Sequence, residues 1–202
     1  MEGLEDSQPT GPETSATRRA VDLARLINDD CNRLLELYRE RESLPANKSS
    51  EGGPRLVSVA GSTDDDSLTT AEKVWHHHCA LRRCLALLER QIGWEEEEMG
   101  VDGDGEGDYE VVRQAVKARL GHLLHSTRAL LEAVEGGQGA DHLGPDHDCT
   151  QGTDEVDSSN NYAMKIWTHH LLQDLIHWTD SARKTLHVLH KERAGQQEQQ
   201  EL

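Results

Sequence analysis

Apolar side chains recur at intervals of three and four residues along four separate stretches of the chain. Between those stretches the pattern dissolves into glycine, aspartate, serine and proline. Residues three and four apart share a helical face, so each stretch predicts one α-helix with a single apolar stripe. The first covers about residues 16–44 through Ala24, Ile27, Cys31, Leu34, Leu35 and Tyr38, with Thr14, Ser15 and Thr17 as candidate caps and Pro45 as its stop. The second, about 70–98, carries Val74, His78, Leu81, Leu85, Leu88 and Ile92, and Glu72 stands three residues after Thr69, the spacing of a capping box. The third, about 109–135, runs through Val112, Val116, Leu120, Leu123, Thr127, Leu130, Leu131 and Val134 to a stop at Gly136-Gly137. The fourth, about 159–193, runs through Ile166, Leu171, Leu172, Leu175, Thr179, Ala182, Leu186 and Leu189. No segment alternates as a strand would. The expectation is an all-α chain with one domain over residues 1–202 and flexible ends at 1–15 and 194–202.

The connections run long, short, long: about 25 residues (45–69), about 10 (99–108) and about 23 (136–158). A helix of about 25 residues is about 38 Å long, whereas a linker of about 10 residues spans at most about 33 Å, so the second and third helices must run antiparallel. The outer linkers reach about 75 Å, enough to climb back along a bundle, and structureless connections of that length need a purpose. Overhand crossing supplies one. The predicted architecture is an up-up-down-down four-helix bundle with two long crossover loops.

At 202 residues the chain is long enough to bury a core without staples, although only 35% of it is apolar and phenylalanine is absent. The net charge of −17 argues against nucleic acid or anionic lipid as a partner, since either would need a basic face. Acidic runs at residues 95–98, 64–66 and 102–108 are expected to be solvated surface. Residues 1–17 are polar and hold no apolar core of a signal peptide, and no stretch approaches a membrane span. Cys79 and Cys84, five apart on one helix, point in different directions and cannot bridge each other. Free thiols in a reducing compartment are expected, with Cys149 a candidate for pairing two chains.

Candidate chemistry is sparse. Counting Asp102 as the first position of a calcium loop puts acids at positions 1, 3 and 5 and Gly107 at 6, but position 12 is Arg113, where a bidentate carboxylate must close the shell. Histidines cluster at 76–78 and 169–170, and His187 precedes His190 by three. The last pair shares a helical face and with a third ligand would suit zinc or copper, but adjacent helical histidines diverge by about 100°, so each cluster supplies at most two convergent ligands and no recognised metal pattern is present. There is no nucleophile elbow and no phosphate-cradling glycine loop. We therefore expect no enzyme activity, no cofactor and no metal; function should reside in surfaces.

From Tyr162 to Thr179 the fourth stretch sets Lys165 ahead of Trp167, then Leu172, Gln173, Asp174 and Leu175, then Trp178 and Thr179. This order resembles, without a gap, the start of the last helix in the ciliary neurotrophic factor branch of the interleukin-6-type long-chain helical cytokines. Leu23-Ala24-Arg25 with Ile27 and Asp30 resembles that family's first helix. Leu68-Thr69 with Ala71-Glu72 resembles the opening of its second, and Glu106-Gly107-Asp108-Tyr109 its short central turn. All four helices are covered, and the two crossovers are not. The resemblance implies the same bundle and a neurotrophic cytokine acting through JAK-STAT signalling. Such a molecule bridges an alpha receptor, the shared interleukin-6-type beta receptor and the leukaemia inhibitory factor receptor. It further implies a monomer before receptor binding, held in the cytoplasm and released by a leaderless route. Tyr162 and Lys165 fall on the family's aromatic and lysine contacts for the last of those receptors. Arg25 and Trp178 are further receptor-binding candidates, with core packing the alternative for Trp178. Two departures stand out: Asp64-Asp65-Asp66-Ser67 replaces a tryptophan before the second helix, and Ser181 replaces a basic residue ahead of Arg183 and Lys184. A sister cytokine such as a cardiotrophin is one alternative. Another is an intracellular adaptor binding partner helices, which predicts a large exposed apolar patch.

Overall fold

The computed structural model describes residues 11–45, 55–59, 66–99, 107–135 and 160–200. Among them are four helices, α1 (Pro12–Arg41), α2 (Thr70–Met99), α3 (Asp108–Glu135) and α4 (Asn161–Gln200), and no strand. The chain forms an all-α four-helix bundle, as the stripes predict.

Two helix starts follow local chemistry closely. At α2 the Thr69 N–H donates to Glu72 Oε2 at 2.7 Å and the Glu72 N–H donates to Thr69 Oγ1 at 3.2 Å, completing the capping box. At α4 Asn160 Oδ1 accepts the N–H groups of Tyr162 and Ala163 at 3.1 and 3.2 Å, satisfying donors that a helix leaves orphaned.

The ends of α1 depart from expectation. It begins at Pro12, preorganised for a first helical position, so Thr14 and Thr17 are interior residues and not caps. Both are buried against α4: Thr14 Oγ1 donates to Gln197 Oε1 at 2.6 Å, and Thr17 Oγ1 lies 3.0 Å from His190 Nδ1. Residues 12–15 and 194–200 are therefore helical and joined to each other, contrary to the flexible ends expected of them. At its far end α1 stops at Arg41, before Pro45 can act. The Leu44 N–H turns back to the Arg39 carbonyl at 2.9 Å and the Ser43 N–H to Glu40 at 3.3 Å, with Ser43 at φ 53°. That pair of bonds is the Schellman termination.

Fully buried Ile27, Leu34, Leu81, Leu88, Leu120, Leu123, Leu171 and Leu175 belong to one core to which all four helices contribute. Each such side chain contributes about 1.5–3 kcal/mol by leaving water. The stripe on α2 is broader than the spacing suggested. His78 and Leu85 are only half-buried, while His77, Ala80, Cys84 and Leu87 also face inward, because α2 packs against two neighbours. Those neighbours are α3 and α4, and α1 packs on the same two; among the described residues the backbones of α1 and α2 do not approach each other, nor do those of α3 and α4, and long side chains such as Arg41 to Glu95 and Arg193 to Leu130 span the gaps.

Residues 55–59, part of the first long connection, lie on α4. Val57 is buried, its N–H donating to Asp174 Oδ2 at 2.8 Å and its carbonyl accepting Trp178 Nε1–H at 3.2 Å. The cysteines correct one expectation. Cys31 and Cys84 are buried free thiols, which burial holds protonated and inert, but Cys79 is disulfide-bonded. Its inability to pair with Cys84 did not make it free. Its bonding partner lies outside the described residues.

Candidate functional site

At one end of the bundle α1 and α2 finish where α3 and α4 begin, leaving a cleft of about 460 Å³ walled by Tyr38, Trp94, Tyr109 and Met164 and rimmed by Glu42 and Lys165. The Asn160 cap fixes the first turn of α4, so Tyr162 projects outward with 65% of its surface exposed. One turn later Lys165 leans back over α1. Its ammonium lies 2.6 Å from Glu42 Oε2, and its carbonyl accepts the Tyr38 hydroxyl at 3.2 Å. An exposed phenol ring and a half-exposed ammonium thus stand side by side on one rim.

Behind Lys165 runs a chain of alternating charge. Glu42 Oε1 accepts Arg41 Nε–H at 3.0 Å, and Arg41 forks onto Glu95, with Nη2 to Oε1 at 2.6 Å and Nη1 to Oε2 at 3.3 Å. The Arg41 guanidinium also stacks over Tyr109, 4.1 Å from the ring centre. Glu95 in turn pairs with Arg113, which also pairs with Glu110 and donates to Gln91 Oε1 at 3.1 Å. Arg113 is 2% exposed, so these partners are what allow its charge to be buried. All four helices are joined by this chain, from Arg113 and Glu110 on α3 through Glu95 and Arg41 to Lys165 on α4. Burial, reinforced by the nearby Glu95 carboxylate, pushes the Tyr109 hydroxyl up to about 12. The exposed ring of Tyr162 beside the Lys165 ammonium suits recognition of a partner with both apolar and acceptor groups.

The other candidates lie elsewhere. Arg25 is exposed on α1 beside Asp22, at 3.7 Å. About 13 residues separate it from Tyr38, which places it about 20 Å along the helix from the tip. Trp178 is 5% exposed, and its indole N–H is engaged by the Val57 carbonyl. Its place as a surface contact is corrected: it is a packing residue that anchors residues 55–59 to α4. Asp174, the acid of the same motif, is also interior. Burial raises its carboxyl above the usual carboxylate range, while the Val57 N–H and Arg55, 3.6 Å away, pull it back. Trp167 packs edge-on against Trp94 at 5.2 Å, and Ser181 accommodates His77 Nε2 at 2.7 Å.

Three histidines, His77, His78 and His190, serve bonds between helices. His78 Nδ1 meets Thr127 Oγ1 at 2.7 Å, and His190 meets Thr17. No group of three or more histidine, cysteine or acidic side chains among the described residues is placed to hold a metal ion. Residues 102–106 of the acidic turn lie outside the described residues.

Sequence patterning missed the charged chain. Glu95 belongs to a run expected to be solvated, yet its side chain is 17% exposed between two guanidinium groups. One signal was available: Arg113 stands four residues after Tyr109 and three before Val116, an inward position on α3. No family model matches the chain, and no curated protein does.

Proposed function

We propose that this chain is a neurotrophic helical cytokine of the interleukin-6 type, acting without catalysis by bridging an alpha receptor, the shared beta receptor and the leukaemia inhibitory factor receptor. What carries this reading is the packing of α1 and α2 each on α3 and α4, with no backbone approach inside either pair. Simple up-down alternation sets consecutive helices side by side; here only α2 and α3 are both consecutive and adjacent. Residue pairings support the directions. Thr14 with Gln197 and Tyr38 with Lys165 run α1 against α4, while Thr70 with Glu192 and Trp94 with Trp167 run α2 against α4. Asp30 with Arg119 and Arg33 with Asp108 run α1 against α3, and His78 with Thr127 and Glu89 with Lys117 run α2 the same way. These pairings favour an up-up-down-down chain with long overhand connections.

Tyr162 and Lys165 form the receptor hot spot of this proposal, and Arg25 belongs to a separate face. The disulfide at Cys79 favours a working life in an oxidising exterior, in keeping with action on receptors at the cell surface. An adaptor that binds helices in an apolar groove gains no support. The exposed large apolar side chains among the described residues are Leu26, Val111, Tyr162 and Val188, spread over three helices.

The test is to add purified protein to cells with and without each receptor chain and read STAT phosphorylation. Lys165→Ala removes one part-exposed ion pair, about 0–1 kcal/mol of stability, and should fold normally. Its signalling should fall by tenfold or more, about the loss of a hot-spot side chain. Silence of the wild-type protein on cells carrying all three receptors would refute the proposal.

A further inference from the structure

We propose that Glu42 is the positioning residue of the tip, its carboxylate holding the Lys165 ammonium where a partner meets it; this deepens, and rests on, the receptor reading of Tyr162 and Lys165. A lysine ends in a compact charge on a flexible four-carbon stem, and docking it means freezing that stem. In this molecule the stem is tied at both ends to α1. The Lys165 carbonyl accepts the Tyr38 hydroxyl at 3.2 Å, and the ammonium lies 2.6 Å from Glu42 Oε2.

Glu42 is itself held from behind. Its N–H donates to the Tyr38 carbonyl at 3.0 Å, fixing its backbone at the end of α1, and its second oxygen accepts from Arg41 at 3.0 Å. Arg41 is locked between the Glu95 carboxylate and the Tyr109 ring. The Glu42 side chain is only 15% exposed, whereas that of Lys165 is 43% exposed. An ammonium has three donors, and Glu42 takes one. Two remain on a side chain that is still partly open to solvent, so the contact orients the lysine without consuming it.

The experiment compares the full-length wild type with Glu42→Gln, Lys165→Ala and the double variant, each first confirmed folded by circular dichroism and thermal unfolding. Carbon relaxation at Lys165 Cε reports order in the side chain. Binding kinetics on immobilised leukaemia inhibitory factor receptor ectodomain report docking. In Glu42→Gln the Lys165 terminus should become mobile and affinity should fall about three- to tenfold, the span expected for leaving one rotamer-rich side chain unordered. The double variant should bind no more weakly than Lys165→Ala, because Glu42 acts only through the lysine. An equally ordered Lys165 in Glu42→Gln overturns the proposal. So does unchanged or tighter binding, which would make Glu42 a bystander or a competitor of the partner. If the wild type does not bind the ectodomain at all, the receptor reading falls by itself, and the relaxation data still decide whether Glu42 holds Lys165.

Discussion

Ser43 sits at φ 53°, a left-handed conformation that costs a residue with a β-carbon about 1–2 kcal/mol and glycine almost nothing. The Schellman bonds of Leu44 and Ser43 hold it there, so Ser43→Gly keeps the geometry and relieves the strain, less the extra chain entropy of glycine. Urea unfolding should register a gain of about 0.5–1 kcal/mol, whereas Ser43→Val should lose stability. A second residue-scale test concerns His78. Burial, with Arg82 and Arg128 nearby, lowers its pKa from 6.5 to about 4. Below pH 6.5 the unfolded chain binds a proton that the folded one refuses, so stability falls as pH drops, until about pH 4, where both forms are protonated. The whole effect is on the order of 2–3 kcal/mol. His76, lowered by the same cause, acts in the same direction. Comparing denaturant midpoints of wild type and His78→Gln between pH 7 and pH 4 isolates the term, since carboxylate titration is common to both. The advantage of the wild type should shrink steadily toward acid; a constant difference would show that His78 titrates alike in both states.

At the scale of elements, α4 does more than line the core, because Asp174 and Trp178 also hold residues 55–59 of the first long connection. Asp174→Ala would leave the buried Val57 N–H without an acceptor, costing about 1–3 kcal/mol, most of it local. Amide exchange at Val57 should accelerate well before that of Leu171 or Leu175. Uniform acceleration across α4 would mean instead that the clasp supports the whole helix. Why this clasp was illegible in the sequence is instructive. A helical stripe can be read from spacing alone, which is why Ile27, Leu34, Leu120 and Leu171 fall inside as expected. Partners such as Val57 and Asp174 are 117 residues apart, and nothing local couples them. Leu56, Val57 and Val59 do form an apolar run within the linker, but a run without a period names no partner. The same holds at the tip. That Tyr162 and Lys165 stand at the start of α4 was legible from local order, while Glu42, Arg41 and Glu95 gain their partners only from neighbours on other helices. Helix ends were misplaced where a tertiary contact, Thr14 with Gln197, overrode the local capping signal.

For the molecule as a whole, a net charge of −17 opposes compaction, and the described ion pairs offset it only locally. The covalent bond at Cys79 acts differently, by restricting the unfolded chain whatever its charge. Cys79 is 3% exposed on α2, so its own sulfur is closed to attack by small thiols while the fold is intact. Once the bond is reduced, the protein should lose about 2–4 kcal/mol, read as a lower urea midpoint in the presence of a strong reductant. Cys31 and Cys84 are already free thiols, so reductant has nothing to cleave at either. A Cys79→Ala variant should accordingly show the same midpoint with and without reductant, near that of the reduced wild type, because alanine differs from a reduced cysteine there by little more than a sulfur atom. If reductant leaves the wild-type midpoint in place, the bond does not stabilise the fold. If the reduced wild type instead fails to refold, the covalent bond at Cys79 is a condition of the fold, and the bundle can form only where the thiols are oxidised.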